Sequence, residues 1–209
     1  MTLAASASRR ELKRDARRDA IIDVARDCFL SLGYAGTSMS AVAARLGGSK
    51  GTLYNYFPSK EDLFAAVMER QCGELQDRLF DISGVGDAPR DLLIHYARSI
   101  LDTLLSPTAV AIQRIVVAES ERFPEVGRTF FECGPRMVMS RMSAYMQELM
   151  DAGRLRPGDP SLAAQQFKDL AVSGVYTHRL WNVLQELTPE QAHEQVSTAV
   201  DTFLRAYAP

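Results

Sequence analysis

The stretch that decides the fold is Gly33–Phe64, GYAGTSMSAVAARLGGSKGTLYNYFPSKEDLF. It contains two short helix-forming runs, around Ser40–Leu46 and Lys50–Phe57, on either side of Gly47-Gly48-Ser49. Thr37 and Ser38 stand where N-caps are wanted, and Pro58 ends the second run. Ser59-Lys60-Glu61-Asp62 then carries the capping pattern that opens a longer helix, Lys60–Leu79, with Leu63, Val67, Leu75 and Leu79 at inward spacing. Upstream, Ile21, Ile22, Ala25, Cys28, Phe29 and Leu32 recur at helical spacing up to Gly33, a glycine suited to a left-handed stop.

Downstream the chain continues as helix after helix, with no period-two alternation of the kind strands require. The spacing predicts helices near 89–105, 108–121, 124–152, 160–184 and 189–207, separated by Ser106-Pro107, Phe123-Pro124, Gly153–Pro160 and Thr188-Pro189, after a junction loop at Ile82–Pro89. The fold class is therefore all-α: a three-helix helix-turn-helix domain followed by a larger helical bundle. The expected organisation is a basic N-terminal arm over 1–18, a helix-turn-helix domain over 19–65 and a second domain over 66–209.

Composition agrees with a globular chain. Of 209 residues 46% are hydrophobic and 24% charged, which favours neither disorder nor a fibrous class. No apolar run is long enough for a membrane span, and the basic cluster follows rather than precedes the first apolar residues, unlike a secretory signal. Cys28, Cys72 and Cys133 are far apart in sequence and form no CxxC pair, which suits a reducing, cytoplasmic location. Residues 1–60 carry a net charge of +5 and the remainder −7. A basic front on an acidic body fits local phosphate binding.

A helix-turn-helix needs a positioning helix, a turn and a second helix whose early residues meet base edges in the major groove. Residues 37–57 have that order. In the second helix the small early residues allow close approach to phosphate, and Lys50, Thr52, Tyr54 and Asn55 are donors able to reach phosphate or a base. Leu53 and Phe57 are expected in the core. The lead-in Arg9-Arg10…Lys13-Arg14…Arg17-Arg18 reads either as an arm reaching phosphate or the minor groove, or as a solvated tail.

Over about thirty consecutive positions this block resembles the signature of the TetR/AcrR family of one-component regulators, G-Y/F-x-x-T-T/S, a small-apolar helix, then A-G-V-S-x-G-T-L/I-Y-x-Y/H-F-x-S-K-E-x-L. The resemblance implies phosphate contacts from Thr37, Ser38, Ser49, Tyr56 and Lys60, and contacts to bases or adjoining backbone from Lys50, Gly51, Thr52 and Tyr54. Two positions depart from the pattern: Gly48 stands where the family has an apolar residue, and Leu46 where it has a small one. A looser turn is one consequence; packing by Leu46 from the other side is the other. Ala118-Glu119…Arg122-Phe123-Pro124, Ala152-Gly153-Arg154-Leu155, Asp159-Pro160 and Phe167…Leu170 are similar to the carboxy-terminal domain of the AcrR or AefR-like branch. That implies effector binding and dimerisation.

The last two helices carry wide apolar faces that include Phe167, Leu170 and Gly174 on one and Val196, Val200, Phe203 and Leu204 on the other. They either form a four-helix dimer interface, with Gly174 permitting close approach, or cover the chain's own core. A homodimer would place two reading helices on a palindrome of double-stranded DNA. Five methionines fall within 137–150, and such side chains fill irregular cores or line adaptable cavities. Met137, Met142 and Met146, with His95, Tyr96, Phe130, His178 and Trp181, are the candidates for an apolar pocket with polar anchors that holds a small effector. Lys60–Leu79 is the expected lever between the two functions. No cofactor or metal is expected, and no HExxH, Cys/His metal spacing, nucleophile elbow or Walker loop supports an enzyme. The expectation is a repressor released from its operator by a small apolar or amphipathic effector, with an activator or a protein-binding regulator of the same fold as the alternative.

Overall fold

The computed structural model describes residues 2–81 and 88–209, with side chains from residue 11 onward; most of the expected junction loop thus lies outside the described residues. Eleven helices and no strand are present among them: α1 (Thr2–Gly36), α2 (Met39–Arg45), α3 (Lys50–Tyr54), α4 (Lys60–Leu79), α5 (Pro89–Leu105), α6 (Pro107–Glu119), α7 (Pro124–Cys133), α8 (Pro135–Asp151), α9 (Pro160–Ala171), α10 (Val175–Leu180) and α11 (Pro189–Tyr207). No single helix among the described residues is long and apolar enough to cross a membrane.

Proline punctuates this order. Pro89, Pro107, Pro124, Pro135, Pro160 and Pro189 each open a helix, where a missing N–H costs nothing and φ is already set. The same rule corrects one expectation: 124–152 is two helices, because Pro135 removes a helical donor and Gly134 takes φ −113°, ψ −90° between them. Helix 160–184 is also two, broken where Gly174 adopts φ +77° ahead of α10. Residues 2–18 are helical and run into the rest of α1, and α1 ends effectively at Gly33, whose φ of 73° and ψ of 175° leave the helix.

The chain divides into two compact units. The first runs to Gln71 and also takes in Ile115–Phe130, so the end of α6 and most of α7 belong with the amino-terminal helices. Its core holds Ile21, Ile22, Phe29, Tyr34, Val42, Leu53, Leu63 and Phe64, all essentially without solvent contact. Tyr34 is at the centre: its ring meets Phe64 edge-on at 5.1 Å and Phe123 at 5.2 Å, and lies stacked 5.8 Å from Phe29. Its hydroxyl donates to Glu61 Oε1 at 3.3 Å and Glu125 Oε1 at 3.4 Å, while Glu119 Oε1 accepts from the Ala35 amide at 3.0 Å. Burial and the two carboxylates push the Tyr34 phenol well above its ordinary range, so it remains a neutral donor.

In the second unit α5, α8, α9 and α11 pack around one core. Phe167 meets Phe203 edge-on at 5.2 Å, Phe203 stacks on Tyr207 at 4.5 Å, and the Tyr207 hydroxyl donates to Gln166 Oε1 at 2.6 Å. Gln195 Nε2 donates to the carbonyls of Leu170, Ala171 and Ser173, satisfying the carbonyl end of α9. This packing locates the residues nominated for a dimer face. Phe167, Val196, Val200 and Phe203 are buried in the protomer's own core, and Leu170 and Leu204 pack against it. Gly174 lies in open space within this chain and adopts a left-handed backbone.

Candidate nucleic-acid interface

The helix-turn-helix begins with Ser38, whose side chain accepts from the Ala41 amide at 3.1 Å and caps α2. At the other end the Gly48 amide donates to Ala43 O and the Gly47 amide to Ala44 O, each at 3.2 Å, the pair of bonds that defines a Schellman stop. Gly47 supplies the left-handed residue, φ +67°, that this stop requires. Gly48 does not share that conformation. A methyl group added there would lie 3.0 Å from Arg17 Nη2 and 3.9 Å from Leu46 Cδ2, so Arg17 and Leu46 occupy the side on which a larger residue would pack. The turn is closed by the two amide bonds.

Ser49 caps α3, accepting from the Thr52 amide at 3.1 Å and sharing a hydrogen bond with the Thr52 hydroxyl at 2.8 Å. Leu53 and Phe57 are buried and anchor α3 on the unit's core, with the Arg18 guanidinium 5.4 Å from the Phe57 ring centre. That anchoring leaves Lys50, Gly51, Tyr54 and Asn55 facing solvent, Tyr54 with 42% of its surface exposed. The Lys50 ammonium stands 6.0 Å from the Tyr54 ring centre, so a cation, an aromatic face, an amide side chain and an unobstructed backbone share one short surface. Such a set can hold phosphate and approach base edges together.

The other nominated residues divide. Ser38 and Ser49 are exposed, and Thr52 and Tyr56 half-buried. Thr37 is only 2% exposed and its hydroxyl donates to Gly33 O at 2.8 Å, closing the turn after α1; that bond leaves its side chain a structural part rather than a phosphate ligand. Lys60 also turns inward. Its Nζ donates to Tyr34 O at 3.1 Å and lies 4.1 Å from the Tyr34 ring centre and 5.5 Å from that of Phe123, a cation–π seat beside a carbonyl.

The pocket candidates separate in the same way. Tyr96 on α5 and Met142 and Met146 on α8 come together in the core of the second unit, and His95 is half-buried beside Tyr96. Met137 is 45% and Trp181 71% exposed, and His178 is exposed too, because these residues lie on outer faces of α8 and at the end of α10; they do not line an interior. Phe130 belongs to the first unit. Sequence reasoning missed Tyr145. Its ring meets Tyr96 at 5.4 Å, as the His95 ring does at 5.8 Å, and Phe80 completes the aromatic wall 5.9 Å from Tyr96, with the Arg141 guanidinium 3.8 Å over Phe80. Among the described residues, His95 Nε2 and the Tyr145 hydroxyl are buried side-chain polar atoms without a hydrogen-bond partner. Burial pushes the Tyr145 phenol up to about 12. Its position three residues after Met142, on the same helical face, is the signal that would have found it. No group of three His, Cys, Asp or Glu side chains that could hold a metal ion occurs among the described residues.

Comparison with known proteins gives this geometry a family. Residues 91–209 match the model described as AefR-like transcriptional repressor, C-terminal domain, and residues 21–67 match that of bacterial regulatory proteins, tetR family. The chain belongs to the TetR family. A solved structure, that of the flavonoid-responsive regulator FrrA, is 34% identical with a TM-score of 0.82 over 93% of this chain and 98% of its own. The transcriptional repressor AcnR of Corynebacterium diphtheriae is 30% identical over 82 residues, 39% of this chain and 43% of AcnR. The transcriptional activator FasR of Mycolicibacterium smegmatis is 38% identical over 79 residues, 38% of this chain and 33% of FasR. The alignments to these two thus span less than half of either relative, whereas the likeness to FrrA spans both units.

Proposed function

We propose that this TetR-family chain is a cytoplasmic repressor that binds a palindromic operator as a homodimer through α3 and is released by a small, uncharged phenolic effector held in its second unit. The observation that carries the DNA half is the exposed Lys50, Gly51, Tyr54 and Asn55 surface, fixed by the Ser49 cap and the Schellman turn. Ser38, Ser49, Thr52 and Tyr56 border it and add phosphate donors. Two such surfaces about 34–36 Å apart read two half-sites, and one short helix alone reads too few bases. Dimerisation is proposed for this reason.

The effector half is supported by the buried His95 Nε2 and Tyr145 hydroxyl. An unsatisfied buried polar group costs about 1–3 kcal/mol, which a ligand hydroxyl or carbonyl placed against it recovers on binding. The surrounding Phe80, Tyr96, Met142 and Met146 suit an aromatic body. FrrA, similar over 93% of this chain, is named for its response to flavonoids. The effector weakens operator binding by preferring one arrangement of the reading heads, and α4 transmits the change. We assign the chain no catalytic step.

The test is capture of sheared genomic fragments on the purified protein, with Tyr54→Ala beside it, followed by elution with a flavone, an isoflavone and a flavanone. Enrichment of a short inverted repeat that the variant loses, and that a flavonoid elutes, supports both halves. Retention of no sequence at low salt removes the DNA half. Retention that no flavonoid reverses removes the phenolic effector.

A further inference from the structure

Cys72 on α4 and Cys133 at the end of α7 are 61 positions apart in sequence, yet their sulfurs lie 3.3 Å from each other in the second unit. One helical turn beyond Cys72, Gln76 Nε2 donates to the Cys133 carbonyl at 2.7 Å, holding the Cys133 backbone against the same stretch of α4. Gly134 follows Cys133 at the break between α7 and α8, so the residue carrying the thiol sits at a joint rather than within a continuous helix. The third cysteine has different surroundings: Cys28 is fully buried in the first unit, and its sulfur accepts from Arg45 Nη1 at 3.4 Å.

We infer that Cys72 and Cys133 form an oxidisable dithiol, a modification site at which a hydroperoxide such as hydrogen peroxide produces an intramolecular disulfide. The sulfurs must close from 3.3 Å to about 2.05 Å, a movement within reach of side-chain rotation. Cys133 is half-buried and attacks first. The hydrogen bond with Cys133, together with burial, pushes the Cys72 thiol well above the usual thiol range, and the more accessible Cys133 is the one that loses its proton to solvent and reacts as the thiolate. That thiolate attacks one peroxide oxygen; an S–O bond forms, the O–O bond breaks, and hydroxide leaves. Cys72 then attacks the sulfenic sulfur; the S–S bond forms, the S–O bond breaks, and the oxygen departs as water with the Cys72 proton. Two thiols lose two electrons, and one peroxide becomes two waters. The product ties α4 to α7.

The experiment treats the full chain with hydrogen peroxide, alkylates the remaining thiols and digests with trypsin without reductant. The expected result is a disulfide-linked pair of peptides, 71–78 and 129–136, that separates on reduction, with Cys28 alkylated throughout. Cys72→Ser is expected to stop at a sulfenic acid on Cys133 that dimedone traps, and Cys28→Ser to cross-link as the parent does. Absence of the linked pair in the unmodified chain, or a bond between chains in its place, overturns the inference whatever the variants do. Because the readout is thiol chemistry, its failure is distinct from failure of DNA or effector binding.

Discussion

Replacing Tyr145 by Phe should raise the stability of the unliganded protein while weakening its effector. The hydroxyl oxygen is buried without a partner, so its removal relieves a desolvation cost of about 1–3 kcal/mol. The ring and its 5.4 Å contact with Tyr96 remain, and no cavity is opened. For a chain of this length each kcal/mol moves Tm by about 2–4 °C, giving an expected rise of roughly 2–12 °C by calorimetry. Binding of a flavonoid loses one neutral hydrogen bond and weakens by up to about tenfold in a fluorescence titration. Tyr207→Phe is the opposing control: its hydroxyl donates to Gln166 at 2.6 Å, and the same deletion costs about 0.5–1.5 kcal/mol. If both variants lose stability alike, the Tyr145 hydroxyl is satisfied in solution and the polar anchor must be sought elsewhere.

Further outcomes follow from the same geometry. Gly47→Ala forces an L-residue to φ +67° with no neighbour to clash, and is expected to cost about 1–2 kcal/mol of stability by urea unfolding; Gly48→Ala, which only displaces the end of Arg17, should cost less. Met146→Ala empties a fully buried site in the second unit and should cost about 2–5 kcal/mol in the same assay. At high pH the unfolded chain releases the Tyr145 proton from its ordinary value of 10.0, whereas the folded chain holds it to about 12. Stability from this group is therefore complete below pH 10 and lost between 10 and 12; Tyr145→Phe should flatten that loss in pH-dependent melting curves.

What was legible in the sequence is what short-range chemistry controls. Ser38, Ser49 and Gly47 act within four residues of themselves, and the helix-opening prolines act on their own turn, so the helix-turn-helix and most helix starts could be read directly. Pro135 carries the same signal and opens α8 after Gly134. The rest depends on distant partners. Helical periodicity shows that Phe167, Val200 and Phe203 are covered, but not whether by their own chain or another. Thr37 and Lys60 match a DNA-contacting pattern, and only Gly33 O, Tyr34 and Phe123 reveal that their polar atoms are engaged internally. The grouping of Ile115–Phe130 with the amino-terminal helices rests on Glu119, Phe123 and Glu125 meeting Tyr34 and Ala35, contacts that no local pattern encodes. The approach of Cys72 and Cys133, 61 positions apart, is of the same long-range kind.

The most direct test of the central claim is the affinity for the enriched inverted repeat and for a scrambled fragment, measured across a salt series with the parent, Lys50→Ala and Tyr54→Ala. A DNA-reading α3 predicts that Lys50→Ala lowers the slope of log K against log salt by about 1 per neutralised phosphate contact, while Tyr54→Ala narrows the gap between the two fragments. Equal affinity of the parent for both fragments, or slopes and affinities unchanged in both variants, would show that this surface does not read DNA.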